Sequence, residues 1–114
     1  MLETSPQSLD ALFSGGYTGS GMEFEWDPSK DAVNQQKHGL SFREASTVFG
    51  DPLALTIADP DHSMDEQRFL TTGYSEQRQL IIVAHTDREQ RIRIISARIA
   101  TATERTVYEQ GERP

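Results

Sequence analysis

Two neighbouring runs of the chain are rich in β-branched apolar residues, Leu80–Thr86 and Arg91–Ile99. The polar residues 87–90 separate them, and two such runs joined by a short polar connection predict a β-hairpin. The first run is almost wholly apolar, which predicts a central strand buried on both faces. The second run alternates between apolar and basic residues, which predicts a strand with two different faces.

The arginines of the second run predict a cationic surface on the sheet. Arg91 and Arg93 fall on one face because side chains alternate along a strand. Arg98 falls on the opposite face unless a β-bulge intervenes, since one extra residue reverses the alternation. Guanidinium groups at such positions either pair with carboxylates or present a fixed cationic surface to an anion.

Start and stop signals frame three helices. The first is predicted from Asp27-Pro28, an N-cap followed by proline at the first helical position, to about His38, before a glycine. The second begins at the capping box of Ser41 and runs to about residue 50. The third begins at the capping box of Thr101 and ends at residue 111.

The remaining apolar runs complete the predicted order of elements. Short strands are predicted at Phe24–Trp26, Leu53–Ile57 and Arg68–Tyr74. One strand, two helices, four strands and a helix predict an α+β domain. Because the later strands follow one another through short turns, we expect a small antiparallel sheet of about four to five strands, with the helices mostly on one face.

The first 21 residues differ from the rest in composition. They are rich in serine and glycine and show little periodicity, which is typical of a flexible extension or tag. We therefore expect the folded domain to span residues 22–114.

Composition limits the classes of function. The chain has 114 residues and a net charge of −7, which counts against non-specific nucleic-acid binding without excluding a local cationic cleft. It has no cysteine, so thiolate-held zinc and disulfides are excluded. No apolar run approaches the roughly 20 residues that span a bilayer. We expect a cytoplasmic protein with no membrane partner.

The order and spacing of several short motifs resemble the BrnT family, the toxin half of a type II toxin–antitoxin system. The similarity covers residues 22 to about 110. Its motifs are Phe24-Glu25-Trp26-Asp27, Lys30, Asn34, Lys37-His38-Gly39, Phe42-Arg43-Glu44-Ala45, Phe49-Gly50-Asp51-Pro52, Glu66-Gln67-Arg68, Gly73, Arg93-Ile94-Ile95-Ser96-Ala97-Arg98, Glu104-Arg105 and Tyr108.

This resemblance implies a RelE-like fold and a ribonuclease that works without metal or cofactor. It also implies a ribbon-helix-helix antitoxin of the BrnA type as partner, so that DNA is contacted only indirectly, through the antitoxin. RNA is the implied substrate and growth arrest the implied effect. A homodimer or a heterotetramer with the antitoxin both remain open.

Acid–base groups are needed because metal-independent RNA cleavage must activate a 2′-hydroxyl and protonate a leaving oxygen. His38 and His85 are the candidates, since histidine titrates near neutral pH. His38 is alternatively only the end of a helix, and His85 is alternatively a half-buried structural residue. Lys37, together with Lys30 and Asn34, forms either a cationic RNA-binding stripe or a solvated helix face.

Phosphate contacts are expected from the arginines, because a guanidinium fork suits a phosphate. Arg68, Arg93 and Arg98 are the catalytic candidates, since they also fall in the family motifs, and Arg91 is an RNA-binding candidate. The alternative is cross-strand pairing with Glu66, Glu89 or Glu104. Tyr108 either stacks on a base or packs in the core.

Two other functions compete with this interpretation. One is a RelE-fold binding subunit with little catalysis, which acts mainly through its antitoxin complex. The other is a metal-dependent enzyme that uses the acidic loop Asp59–Glu66. That loop lacks the glycine and spacing of an EF-hand, so we expect no metal site there.

Overall fold

The structure, a computed structural model, describes residues 17–19, 22–61 and 66–111. Its described elements are two strands, two helices and a 3-10 turn, four strands and a last helix, an α+β arrangement that confirms the predicted fold class. In chain order they are β1 (Tyr17–Gly19), β2 (Met22–Glu25), α1 (Pro28–His38), α2 (Phe42–Ser46), a 3-10 turn (Thr47–Gly50), β3 (Leu55–Ala58), β4 (Arg68–Tyr74), β5 (Leu80–Arg88), β6 (Arg91–Ile99) and α3 (Ala102–Gln110).

The described strands form one six-stranded sheet in the order β1-β2-β6-β5-β4-β3. Strands β3 to β6 pair as an antiparallel meander, as the short turns predicted. The prediction of a wholly antiparallel sheet was wrong, because β2 pairs with β6 in parallel. Helices α1 and α2 lie in the long connection that leaves β2, and such a crossover is what parallel pairing requires.

Strand β1 also corrects the predicted start of the domain. Residues Tyr17–Gly19 pair antiparallel with Met22–Glu25, so the sheet begins before Met22. Backbone hydrogen bonds hold this edge strand, and its composition carries no alternating pattern that could have predicted it. The rest of the proposed extension lies outside the described residues, as do His62 and its neighbours through residue 65 in the acidic loop.

The predicted helix signals are confirmed by the cap geometry. Asp27 accepts a hydrogen bond from the amide of Ser29, and Gly39 ends α1 with a φ of 69°, which glycine adopts without strain. Ser41 caps α2, and Thr101 forms a complete capping box with Glu104. Helix α2 is shorter than predicted, because its last turn tightens into the 3-10 turn.

A β-bulge in β6 decides which arginines share a face. Ala84 pairs with Ser96 while His85 pairs with Ile94, so Ile95 is an extra residue. The β-bulge that Arg98 needs in order to share a face with Arg91 and Arg93 is therefore present. Arg98, paired with Ile82, lies on the same face as Arg91 and Arg93.

The two faces of the sheet differ in what covers them. Helices α1 and α2 pack on the face that carries Phe24, Ile92, Ile94 and Ala97, which belong to the apolar core. We call the other side the open face. Helix α3 contacts one end of it through Tyr74 and Arg98, and the other end carries charged side chains. Among the described residues, no helix is long and apolar enough to cross a membrane.

Candidate functional site

A cleft between helix α1 and strand β6 collects the basic residues of α1. Its volume is about 270 Å³, and none of the described residues that line it is acidic. We call it the α1–β6 cleft. It is lined by Ser29, Lys30, Val33, Asn34, Lys37, His38, Ile95 and Ser96.

Asn34 holds α1 against the strand. Its side-chain amide donates to the carbonyl of Leu40 at 3.0 Å, and its Oδ1 accepts from the amide of Ala97 at 3.1 Å. Parallel pairing with β2 covers only Arg91–Arg93 of β6, so α1 lies beside the later half of that strand. Because Lys30, Lys37 and His38 lie within one turn of Asn34 along the helix, this anchor fixes where the basic groups stand.

The structure places His38 and Lys37 in this cleft and leaves both exposed. His38 is the last residue of α1 and lies at the end of this cleft. The bulge residue Ile95 and its neighbour Ser96 form the opposite wall. The predicted lysine stripe is therefore one wall of a cleft.

His85 lies in the core on the helix face, only 1% exposed. Its Nδ1 is 2.8 Å from Asp87 Oδ1, and its Nε2 is 2.8 Å from Thr71 Oγ1. The rings of Phe49 and Phe69 contact it on two sides. Burial lowers the pKa of His85 below its ordinary value, and the hydrogen bond to Asp87 opposes that shift without cancelling it.

These contacts make His85 a structural residue of the core. Both ring nitrogens already have partners, so an incoming RNA atom meets no free nitrogen. The ionised Asp87 accepts the proton on Nδ1, and the neutral ring accepts the Thr71 hydroxyl at Nε2. His85 and His38 are therefore not brought together into one acid–base pair, because they lie in the core and at the surface.

The open face carries two rows of charged residues across the sheet. The register places Glu25, Arg93, Thr86 and Arg68 in one row. The next row contains Glu23, Arg91 and Arg88, and Glu66 extends it by accepting two hydrogen bonds from Arg88, at 2.8 and 3.1 Å. Arg91 and Arg93 are therefore ion-paired, as the alternative interpretation expected, but their partners are Glu25 and Glu23 rather than Glu66 or Glu89.

Arg98 lies at the other end of the open face and pairs with Glu104. Two hydrogen bonds of 2.8 Å join its guanidinium to both carboxylate oxygens. This fork and the Thr101 cap lower the pKa of Glu104 to about 2. Arg98 thus links β6 to the first turn of α3 and does not meet the other arginine candidates.

Tyr108 is buried rather than presented to solvent. Its hydroxyl donates to Asp51, and its ring packs edge-on against Tyr74. The proposed stacking of Tyr108 on an RNA base therefore does not fit this structure, because the ring and its hydroxyl are both occupied. The core-packing alternative describes its contacts.

Two residues of the open face, Glu25 and Arg88, were not predicted as candidates, and the contacts by which Asn34 anchors α1 were not predicted either. Glu25 and Asn34 appear in the family motifs, but nothing in the linear sequence shows what they contact. The signal for Asn34 is a polar residue on the buried side of a helix. In the described part of the chain, no three histidine or acidic side chains are grouped closely enough to hold a metal ion.

Comparison with known proteins identifies the family. A family model described as "Ribonuclease toxin, BrnT, of type II toxin-antitoxin system" matches residues 26–104. A search of curated proteins found no match. Among solved structures, the chain is similar to the Brucella abortus ribonuclease toxin BrnT, with 23% identity and a TM-score of 0.49 over 67% of this chain and 92% of that chain. The assignment to a family depends on the family model alone.

Proposed function

The chain belongs to the BrnT family of ribonuclease toxins of type II toxin–antitoxin systems, and we propose that it cleaves RNA in the α1–β6 cleft without a metal ion. The proposed consequence is growth arrest in the cytoplasm. A toxin of this class has an antitoxin as its partner. We propose a ribbon-helix-helix antitoxin of the BrnA type, which would contact DNA on behalf of the complex.

The observation that carries this proposal is the charge of the cleft. The chain has a net charge of −7, yet Lys30, Lys37 and His38 line one small cleft whose described lining contains no carboxylate. A local cationic site in an acidic protein concentrates phosphate at that site. The exposed imidazole of His38 supplies a proton acceptor beside the two ammonium groups.

Cleavage in this cleft follows from those groups. Neutral His38 accepts the proton of a ribose 2′-hydroxyl, and the 2′-oxygen attacks the adjacent phosphorus. The bond from phosphorus to the 5′-oxygen breaks, and this oxygen takes a proton from water at the open mouth of the cleft. The hydroxide that this water leaves takes the proton from His38, which restores the neutral base. The products are a 2′,3′-cyclic phosphate and a 5′-hydroxyl. Lys30 and Lys37 stabilise the charge that builds on the phosphate.

The open-face arginines extend the proposed RNA track. Arg91 and Arg93 lie on the same strand as Ser96. Arg91 and Ser96 are five positions apart along this strand, which corresponds to a distance of roughly 15 Å between them. A single strand of RNA with its scissile phosphate in the cleft would then place a neighbouring phosphate near these arginines. Arg68 lies in the same row as Arg93 and belongs to this surface. We assign His85, Arg98 and Tyr108 to the fold, because their polar atoms are engaged inside it.

The experiment that tests the proposal is cleavage of a synthetic RNA by His38→Gln and Lys37→Gln variants. We expect rate losses of about 10²-fold for each, the size usual for an acid–base group or a charge-stabilising donor. Arg43→Gln is the matched control, since Arg43 is an exposed cation of α2 outside the cleft. Wild-type cleavage by His38→Gln would remove the cleft from the reaction, whereas absence of cleavage by the wild-type protein would favour a subunit that acts by binding.

Metal independence and the partner need separate measurements. Cleavage should continue at an unchanged rate in excess chelator, and loss of cleavage that added Mg²⁺ restores would contradict the mechanism. Co-expression with a ribbon-helix-helix protein encoded beside the toxin gene should restore growth and yield a stable complex without ribonuclease activity. A complex that forms but cleaves RNA at the full rate would contradict neutralisation by that partner.

A further inference from the structure

The carboxylate of Glu25 lies among three guanidinium groups on the open face. It accepts a hydrogen bond from Arg91 at 3.3 Å and one from Arg93 at 3.2 Å. A nitrogen of Arg88 is 3.9 Å from its Oε2. The Glu25 side chain is only 12% exposed. One carboxylate thus neutralises part of a cluster of three permanent positive charges.

The sheet holds these four side chains in place. Glu25 pairs in parallel register with Arg93, and Arg88 pairs with Arg91 across the β5–β6 hairpin. Beside them is a depression of about 750 Å³. It is lined by Glu23, Glu25, Arg88, Glu89, Gln90 and Arg91. Space for a ligand larger than one carboxylate is therefore present next to the cluster.

Thr86 gives a second, independent observation. It lies between Arg68 and Arg93 in the row that ends at Glu25, and it is 2% exposed. Its Oγ1 is buried and has no hydrogen-bond partner among the residues that the structure describes. A buried hydroxyl without a partner costs free energy, which fits a surface that is completed only when a ligand binds.

A carboxylate and a phosphodiester compete for the same guanidinium donors, because both offer paired oxygens to the fork. We propose that Arg88, Arg91 and Arg93 form a binding site for an RNA phosphodiester, and that Glu25 occupies this site until RNA displaces its carboxylate. This inference rests on the proposed function, since it places the RNA backbone beside the cleavage cleft.

Glu25 then lowers the affinity of the free protein for RNA. An RNA phosphate that enters the site must displace the Glu25 carboxylate. The free energy gained from its contacts with the guanidinium groups is therefore partly offset by the loss of their contacts with Glu25. Glu23 and Glu66 pair with Arg91 and Arg88 from outside the cluster and compete less directly. The same internal anion would weaken non-specific binding of nucleic acid to this arginine-rich surface.

The test is the affinity of the full chain for a short 2′-O-methyl oligoribonucleotide, which cannot be cleaved, measured by fluorescence anisotropy. Glu25→Gln removes the competing charge and keeps the shape, and we expect binding about 10-fold tighter. The slope of log affinity against log salt should steepen by about 0.7, the value for one added phosphate contact on a single strand. Glu23→Gln is the matched control, because Glu23 is 60% exposed and should change affinity less than about 3-fold.

Binding of a folded Glu25→Gln variant that equals or falls below that of the wild type would overturn the proposal. Adding Arg93→Gln to Glu25→Gln should remove the gain, and a gain that persists would also overturn it. If Glu25→Gln does not fold, Arg88→Gln and Arg93→Gln decide instead: weaker binding by both supports the site, and unchanged binding by both rejects it. The oligonucleotide measures binding without cleavage, so this test is separate from the test of the proposed function. If the protein cleaves ordinary RNA but Glu25→Gln does not bind the oligonucleotide more tightly, only this inference is refuted.

Discussion

Thr71→Val tests the hydrogen-bond chain that surrounds His85. The Thr71 hydroxyl lies 2.8 Å from His85 Nε2 and 2.7 Å from the hydroxyl of Thr56. With Nδ1 donating to Asp87, Nε2 accepts from Thr71, and Thr71 accepts from Thr56. Valine has nearly the shape of threonine, so the change removes the hydroxyl without opening a cavity.

The expected cost follows from burial. Thr71 and His85 are each 1% exposed, so water cannot replace the lost donor. Leaving one buried acceptor unsatisfied costs about 1–3 kcal/mol. For a domain of this size, each 1 kcal/mol lowers Tm by about 4–8 °C. The measurement is thermal unfolding at pH 8, followed by circular dichroism.

Thr56→Val provides the matched control. Thr56 is exposed and lies at the outer end of the same chain, so His85 keeps its partner when the Thr56 hydroxyl is removed. We expect a loss below about 1 kcal/mol there. Equal Tm values for the two variants, or a Thr71→Val variant as stable as the wild type, would refute the idea that the buried network stabilises the fold.

Three further changes have effects of predictable sign. Because the pKa of His85 is lowered in the fold, the unfolded chain takes up the proton first, so stability should fall as pH drops below 6.5; a Tm that stays constant from pH 8 to 5.5 would contradict this. Glu104→Gln should lower the free energy of unfolding by about 1 kcal/mol, since 33% of the carboxylate side chain is exposed and solvent screens its pair with Arg98. The same pair stabilises the fold above pH 4.5 and loses its effect as pH falls towards about 2, so Glu104→Gln and wild type should converge in acid denaturation curves. Gly73→Ala should cost about 1–3 kcal/mol in chemical denaturation, because the new Cβ would lie 2.9 Å from Val48 Cγ1; an unchanged midpoint would show that the neighbours move aside easily.

Local chemistry determined much of the secondary structure directly. The limits of β4 and β6 follow from runs of β-branched and aromatic residues bounded by turn residues. Helix α1 begins and ends where its N-cap, its proline and its C-terminal glycine predict. These signals act within a few residues, so the linear sequence contains them in full. The same short-range motifs, in their order and spacing, also indicated the family.

The tertiary structure decided how the candidate residues are distributed. Alternation along β6 showed that Arg98 needs a bulge to join Arg91, but only pairing with β5 shows that Ile95 supplies it. Parallel pairing of β2 brings Glu25, far away in the chain, beside Arg93. Non-local contacts of this kind depend on how strands choose partners, and no local pattern fixes that choice.

The separation of the two histidines has the same origin. In the sequence, His38 and His85 are both candidates, because histidine titrates near neutral pH. In the fold, a helix C-terminus holds one at the rim of a cleft, and the central strand carries the other into the core. The sequence alone thus shows that histidines suited to acid–base chemistry are present. Packing decides which of them solvent and substrate can reach, because the burial of a side chain depends on elements from the whole chain.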